Sequence, residues 1–260
     1  TFDLVRRHWS HATAFLVLGA LVANNSLVRY AGSLVSEPAY LFFGTLVLWL
    51  LSRGRADARV LTLATLATIV AGLTRNVGVV LLAAMVGWLL LERRPRAALL
   101  VALAGGMVLG GWLLRVFLLP DEFRTVGRSY AEDVERMMDR GGRYFLYKRA
   151  KIGVVYATTF LPQTLPIPAI SRDPTSLAVW GWFLAAVIPA GLLVWWRQRW
   201  RLAVLYVVGY LLLLGLWRMS SPRFLAVLLP LLVMALLIPF AEWLGSHRRR
   251  LGLGLAATLT

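Results

Sequence analysis

Four arginines and one acid carry the chemical interest of this sequence: Arg29, Arg75, Arg218, Arg223 and Glu37, each beside an apolar run. Arginine presents a planar fork that grips phosphate oxygens two at a time. Glu37 sits in Ser36-Glu37-Pro38. There Ser36 suits a helix cap and Pro38 the first turn, and an acid is favoured by the helix dipole. Brought together, these residues would make a mixed-charge rim suited to the phosphate of a lipid-linked substrate. The plainer reading is that the arginines snorkel at a membrane interface and that Glu37 is only a good first-turn residue.

Other chemistry is missing. There is no phosphate-binding Walker loop, no dinucleotide fingerprint and no cysteine, so thiol catalysis, disulfides and cysteine metal sites are excluded. His8, His11 and His247 form no metal-ligand pattern, and neither a metal nor a cofactor is expected. Gly106 and Gly110 make a small-xxx-small pattern that close helix packing explains.

The elements that must position the rim are legible from composition. Of 260 residues, 59% are hydrophobic and 15% charged, against about 45–50% and about 25% in an ordinary soluble domain. The apolar residues fall in blocks: 12–28, 38–51, 60–73, 77–91, 97–119, 177–196, 202–217 and 224–244. A bilayer core needs roughly 20 apolar residues in a helix, and shorter spans suit thinned or protein-lined regions. The blocks lack the two-residue alternation of a barrel. The expected fold is therefore all-α: a polytopic transmembrane helical bundle of about eight spans. About five spans lie in residues 1–119, an outer loop with amphipathic helices in 120–176, and about three spans plus a truncated one in 177–260.

Arginine placement gives the orientation. Every second connection is strongly basic, with fourteen arginines on one side against four in the short connections of the other. The positive-inside rule puts the fourteen, with Thr1 at the N-terminus, in the cytoplasm. The net charge of +16 thus reports topology rather than nucleic-acid binding. Arg75 at the centre of one long 60–91 helix would cost at least about 2.5 kcal/mol, so Thr74-Arg75-Asn76 is expected as a tight outer turn between two helices. In the outer loop, Ser129 with Glu132 makes a capping box, followed by an amphipathic helix that Gly141-Gly142 ends. In the 144–160 stretch, aromatic and basic at first, the uninterrupted apolar part from Ile152 to Leu161 is too short to span, and many of the cations from Arg124 to Arg172, Arg149 among them, are expected to be solvated or to meet lipid headgroups. The chain begins at Thr1 and ends on a truncated apolar run, which reads as an internal piece of a longer protein.

Three segments carry a family resemblance. Arg29-Tyr30-Ala31-Gly32 followed by Leu34-Val35-Ser36-Glu37-Pro38 resembles the mid-region of the GT-C superfamily of membrane glycosyltransferases. Ala71-Gly72-Leu73-Thr74-Arg75-Asn76-Val77-Gly78 is similar to their Thr-Arg-Pro-x-Gly turn, with Asn76 replacing proline. Ser221-Pro222-Arg223-Phe224 with Leu228-Leu229-Pro230 resembles their late Arg-Tyr helix, with Phe224 replacing tyrosine. Relatives include aminoarabinose transferases, protein O-mannosyltransferases and glycolipid mannosyltransferases. The resemblance implies an integral-membrane enzyme, plausibly of the bacterial inner membrane. It would move a sugar from a polyprenyl-phosphate donor to a lipid or protein acceptor on the extracytoplasmic side. It also implies a catalytic acid in a first outer loop. That acid is expected upstream of Thr1, because this chain begins too late to contain the loop. Arg29, Arg75, Arg218 and Arg223 are then the phosphate-binding candidates, and Glu37 is a candidate for orienting a cation or binding a sugar hydroxyl and, second to that, for the catalytic acid. The alternative is a non-enzymatic multi-pass transporter or flippase of lipid-linked sugars. Membrane lipid is an expected partner in either case, and nucleic acid is not.

Overall fold

A computed structural model describes residues 2–24, 36–52, 57–118, 142–164, 173–216 and 222–241, and among them every regular element is helical. The order is α1 (Phe2–His8), α2 (His11–Val22), α3 (Glu37–Leu51), α4 (Ala58–Thr74), a 3-10 turn (Asn76–Gly78), α5 (Val79–Leu91) and α6 (Pro95–Leu118). Then come α7 (Gly142–Val155), a π turn (Tyr156–Phe160), α8 (Leu161–Thr164), α9 (Pro174–Arg197), α10 (Arg201–Leu216) and α11 (Pro222–Ala226). A last helix, α12, runs over Leu229–Ala241.

Helix starts follow local chemistry. The side chains of Ser10, Asp57 and Asp173 accept from the backbone N–H three residues on, at 3.1, 2.8 and 3.0 Å. Ser36 departs from the capping expected of it. Its own backbone is already helical, so its side chain makes no cap bond and only its carbonyl receives Tyr40 N–H at 3.0 Å. Arg75 breaks the 58–91 stretch as expected, with an extended backbone (φ −149°, ψ 130°) between α4 and the 3-10 turn. The last apolar block is divided: Pro230 has no N–H for the Ala226 carbonyl, and the chain turns at Val227-Leu228 before α12.

The turns α5–α6 and α9–α10 share one geometry. Arg93 and Arg199 take left-handed φ of 57° and 66°. The next residue then donates back to the helix, Arg94 to the Leu89 carbonyl at 2.9 Å and Trp200 to that of Trp195 at 2.8 Å. These are the bonds of a glycine-type helix stop, made here with arginine in the strained position.

α3 pairs with α4, α5 with α6 and α10, and α9 with the π turn. α12 is the most enclosed element, buried from Leu229 through Ala235. Its carbonyl at Ala235 lies so close to Gly191 of α9 that a Cβ there would overlap it. Gly106 and Gly110 of α6 do not pack in the way their spacing implied: nothing lies within 4 Å of either Cβ position, and Gly105 instead faces Leu82. The spacing is right, but that face of α6 turns outward.

α6 and α9 each have 24 residues, about 36 Å of helix, and are long and apolar enough to cross a membrane. Only 22% of the Pro95–Trp112 stretch is buried, which is not the burial of a soluble core helix. Its outward residues include Leu99, Leu100, Leu103 and Met107.

α1 was not evident in the sequence. It buries Leu4 and Val5 and is tied down by Asp3, which accepts from the Trp49 indole at 2.8 Å and pairs with Arg6 and Arg7, both at 2.8 Å. The Trp49 bond first, then those arginines, hold the Asp3 carboxyl well below the usual carboxylate range. Next to it, Trp9 meets Trp200 edge-on at 4.8 Å, and Trp200 meets Trp195 at 5.0 Å.

Candidate functional site

At the opposite end of α3 from Trp49, the chain builds a charged cluster. Glu37 occupies the first turn of α3, where the unpaired N–H groups favour its charge. Arg75 leaves the end of α4. Its backbone N–H bonds the Ala71 carbonyl at 3.0 Å, and its carbonyl receives Gly78 N–H at 2.8 Å. The turn is tight because Gly78 lies against the backbone of Gly72, where a Cβ has no room.

The fold brings the two charges together. Arg75 Nη1 lies 2.5 Å from Glu37 Oε1, with the side chains 11% and 8% exposed. Nη1 makes no well-aligned hydrogen bond among the described residues, so the contact is one of charge more than of a directed bond. The guanidinium also lies over the Phe224 ring at 5.4 Å. Arg75 therefore joins three parts of the chain: the start of α3, the α4–α5 turn and α11.

Three tyrosines support this junction from within. Tyr40, one turn after Glu37, reaches the Val77 carbonyl with its hydroxyl at a long 3.4 Å and receives the Tyr206 hydroxyl at 3.1 Å. Tyr210 donates to the Phe224 carbonyl at 3.1 Å. The Tyr206 and Tyr210 rings meet edge-on at 6.0 Å. Burying a hydroxyl without a partner is costly, and here each finds one. The spacing of Tyr206 and Tyr210, four apart in an apolar helix, was the available signal. That Tyr40 lies opposite them is a tertiary fact.

Of the sequence candidates, the structure unites Glu37 and Arg75. Arg223 stands on α11, one residue before the ring that Arg75 covers. Arg29 and Arg218 lie outside the described residues, as does the amphipathic helix expected after Ser129. Thr1 lies outside them too. Arg149, grouped in the sequence with solvated cations, is instead buried on α7, and desolvation lowers its pKa from the usual arginine value. Among the described residues no group of His, Asp or Glu is arranged to hold a metal ion.

A second feature adjoins the cluster. An apolar cavity of about 270 Å³ lies between the π turn, α9 at Pro189, α10 and α11, with Tyr156, Ile188, Leu214 and Leu225 in its wall. Leu225 follows Phe224, so α11 presents one residue to the charges and the next to the cavity. Such an arrangement sets a buried Glu37–Arg75 ion pair on one side of α11 and an apolar space on the other. The chain matches no protein-family model, no curated protein sequence and no solved structure.

Proposed function

We propose that the chain belongs to an integral-membrane glycosyltransferase that moves a sugar from a polyprenyl-phosphate carrier to a lipid or protein acceptor on the extracytoplasmic side of a bacterial inner membrane. The observation that carries this reading is the shared α11 wall. The Glu37–Arg75–Phe224 cluster meets a lipid phosphate on one side, and the apolar cavity takes the start of the prenyl chain on the other. The outward apolar residues of α6 and the two membrane-length helices support a bilayer setting. We read eight spans: α2, α3, α4, the 3-10 turn with α5, α6, α9, α10, and α11 with α12.

In the reaction an acceptor oxygen bonds to the sugar C1 as the bond from C1 to the phosphate oxygen breaks. The acceptor proton leaves to a carboxylate base, and the polyprenyl phosphate departs with an added negative charge. Arg75 stabilises that charge, with Arg223 supplying the positive excess that a neutral Glu37–Arg75 pair lacks. Glu37 aims Arg75 and is not the base. The rival reading, a transporter or flippase of lipid-linked sugars, draws on the interrupted α11–α12 helix.

The test uses proteoliposomes and a diazirine-bearing polyprenyl-phosphate sugar. Crosslinks are expected on the π turn and α11, reduced in Arg75→Ala and partly restored in Arg75→Lys. Labelling no stronger than with a diazirine phospholipid would refute the site. Lipid-linked sugar crossing the bilayer with no acceptor present would favour the transporter.

A further inference from the structure

A second cavity, of about 260 Å³, lies about 21 Å along α3 from Glu37, at the end of the bundle that holds Trp200. Its floor is apolar, formed by Leu48 and Leu51 of α3 and Leu202 of α10. Its mouth is polar, with Ser52, Glu92 and Arg199. Two indole-bearing residues, Trp88 and Trp200, stand at the wall, as is usual where apolar and polar zones meet.

The charge at the mouth is positive. Glu92 is engaged, its Oε1 lying 3.7 Å from Arg201 Nη1. Arg199 has no such carboxylate partner among the described residues. The left-handed turns place it and Arg93 at the crowns of neighbouring loops, both exposed. Arg201, between the wall residues Trp200 and Leu202 but not itself in the wall, has a buried Nε without a hydrogen bond among the described residues. The first turn of α10 adds backbone N–H groups that have no acceptor within their own helix.

A cation at the mouth and an apolar floor select a ligand that is anionic at one end and apolar at the other. At about 260 Å³ the space is just below the range of small-molecule sites, about 300–1,000 Å³. It fits a headgroup neck and the start of one acyl chain. A soluble phosphate would leave the floor empty. A zwitterionic headgroup would bring its own cation against Arg199.

We propose that this cavity is a binding site for an anionic phospholipid, whose phosphodiester pairs with Arg199 and whose chain follows Leu48, Leu51 and Leu202. The site rests on the membrane reading above but not on glycosyl transfer, and it is remote from Arg75. It would anchor the α5–α6 and α9–α10 turns to one another through a shared lipid.

The experiment places the full chain in nanodiscs of equal parts phosphatidylglycerol and phosphatidylcholine, then counts co-released lipids by native mass spectrometry. One phosphatidylglycerol is expected to be retained in preference to phosphatidylcholine. Arg199→Asn removes the charge while tolerating the left-handed backbone, and should cut the preference about fivefold. Arg199→Gly serves if the asparagine variant fails to fold. Arg199→Lys should keep most of the preference, and Arg96→Asn, exposed on α6 and outside the cavity, should leave it unchanged. Equal retention of both lipids overturns the proposal, as does an equal loss in Arg96→Asn, which would mean diffuse surface charge. Displacement by soluble glycerol 3-phosphate would assign the site to a free anion instead. Extraction of the chain from membranes by alkaline carbonate would refute the membrane reading and the site together. A chain that stays embedded but shows no lipid preference refutes the site alone.

Discussion

Replacing Glu37 with Gln should destabilise the fold far more than replacing Glu37 and Arg75 together. At 2.5 Å and an effective dielectric near 20, the pair attracts by roughly 6–7 kcal/mol. Desolvating the two ions offsets most of that, because several kcal/mol are lost for each. The intact pair is therefore worth little net. Removing one partner is another matter: the side chains are 8% and 11% exposed, so the remaining charge is left buried at a cost of about 3–5 kcal/mol. For a chain of this size that is on the order of 10 °C in Tm. Glu37→Gln with Arg75→Gln leaves two neutral amides able to bond each other, and should recover more than half of the loss. The measurement is a double-mutant cycle of thermal unfolding in one detergent. Equal losses in the two single variants and full additivity in the double would show that the ions do not sense each other. The junction would then be held by Phe224 and the tyrosines alone.

Gly191→Ala should cost about 1–3 kcal/mol by driving α9 off the Ala235 carbonyl, whereas Gly106→Ala on the open face of α6 should be neutral or slightly stabilising; parallel melting curves decide it. Arg93→Gly and Arg199→Gly should each leave stability unchanged or raise it by up to about 1 kcal/mol in detergent, since glycine relieves the left-handed strain at some entropic cost; a loss above that size in either would mean that the arginine side chain anchors its turn. Asp3 carries a depressed pKa, so its contribution to docking α1 is present above its ordinary value of 3.8 and is lost as pH falls through the lower folded value. The 19F signal of a fluorotryptophan at Trp49 should hold steady from pH 7 to 5 and shift only well below 3.8. A midpoint near 5 would contradict the hydrogen bond that ties Asp3 to the indole. Cysteines placed at Ser129 and Gln198 should divide by side, with Ser129 alone labelled by an impermeant maleimide in intact cells; the reverse pattern would invert the orientation.

What the sequence made legible was what each residue's near neighbours decide. Apolar blocks became helices because a helix satisfies its own backbone, and the break at Arg75 followed from the cost of a charge inside an apolar stretch. α1 escaped notice because seven residues are too few for a periodicity, and its stability comes from Trp49, far along the chain. The Glu37–Arg75 pairing was half visible: both residues were singled out, but nothing local says that α3 and the α4–α5 turn meet. The tyrosine trio was hidden for the same reason, since Tyr206 and Tyr40 touch across a separation of 166 residues. Ser36 and the Gly106–Gly110 pair show the opposite failure, in which a correct local motif was not used for its usual purpose. Ser36 holds the cap position in helical backbone without using its side chain, and the glycines face outward.

The apolar cavity beside α11 is flanked by two helices that lack a regular ladder. On one side the π turn spaces its bonds one residue too wide; on the other Pro189 offers no N–H to the carbonyl of Ala185, and both of those residues lie in the cavity wall. Widening the space at these points bends two helices where little cohesion has to be given up. Under the proposed reading the cavity would act as a compliant sleeve and not as a mould, selecting a guest for being apolar and slender and not for where along it a double bond or methyl branch falls. A series of chains differing only in unsaturation should occupy it with nearly equal affinity, while a rigid ring system of the same volume should not.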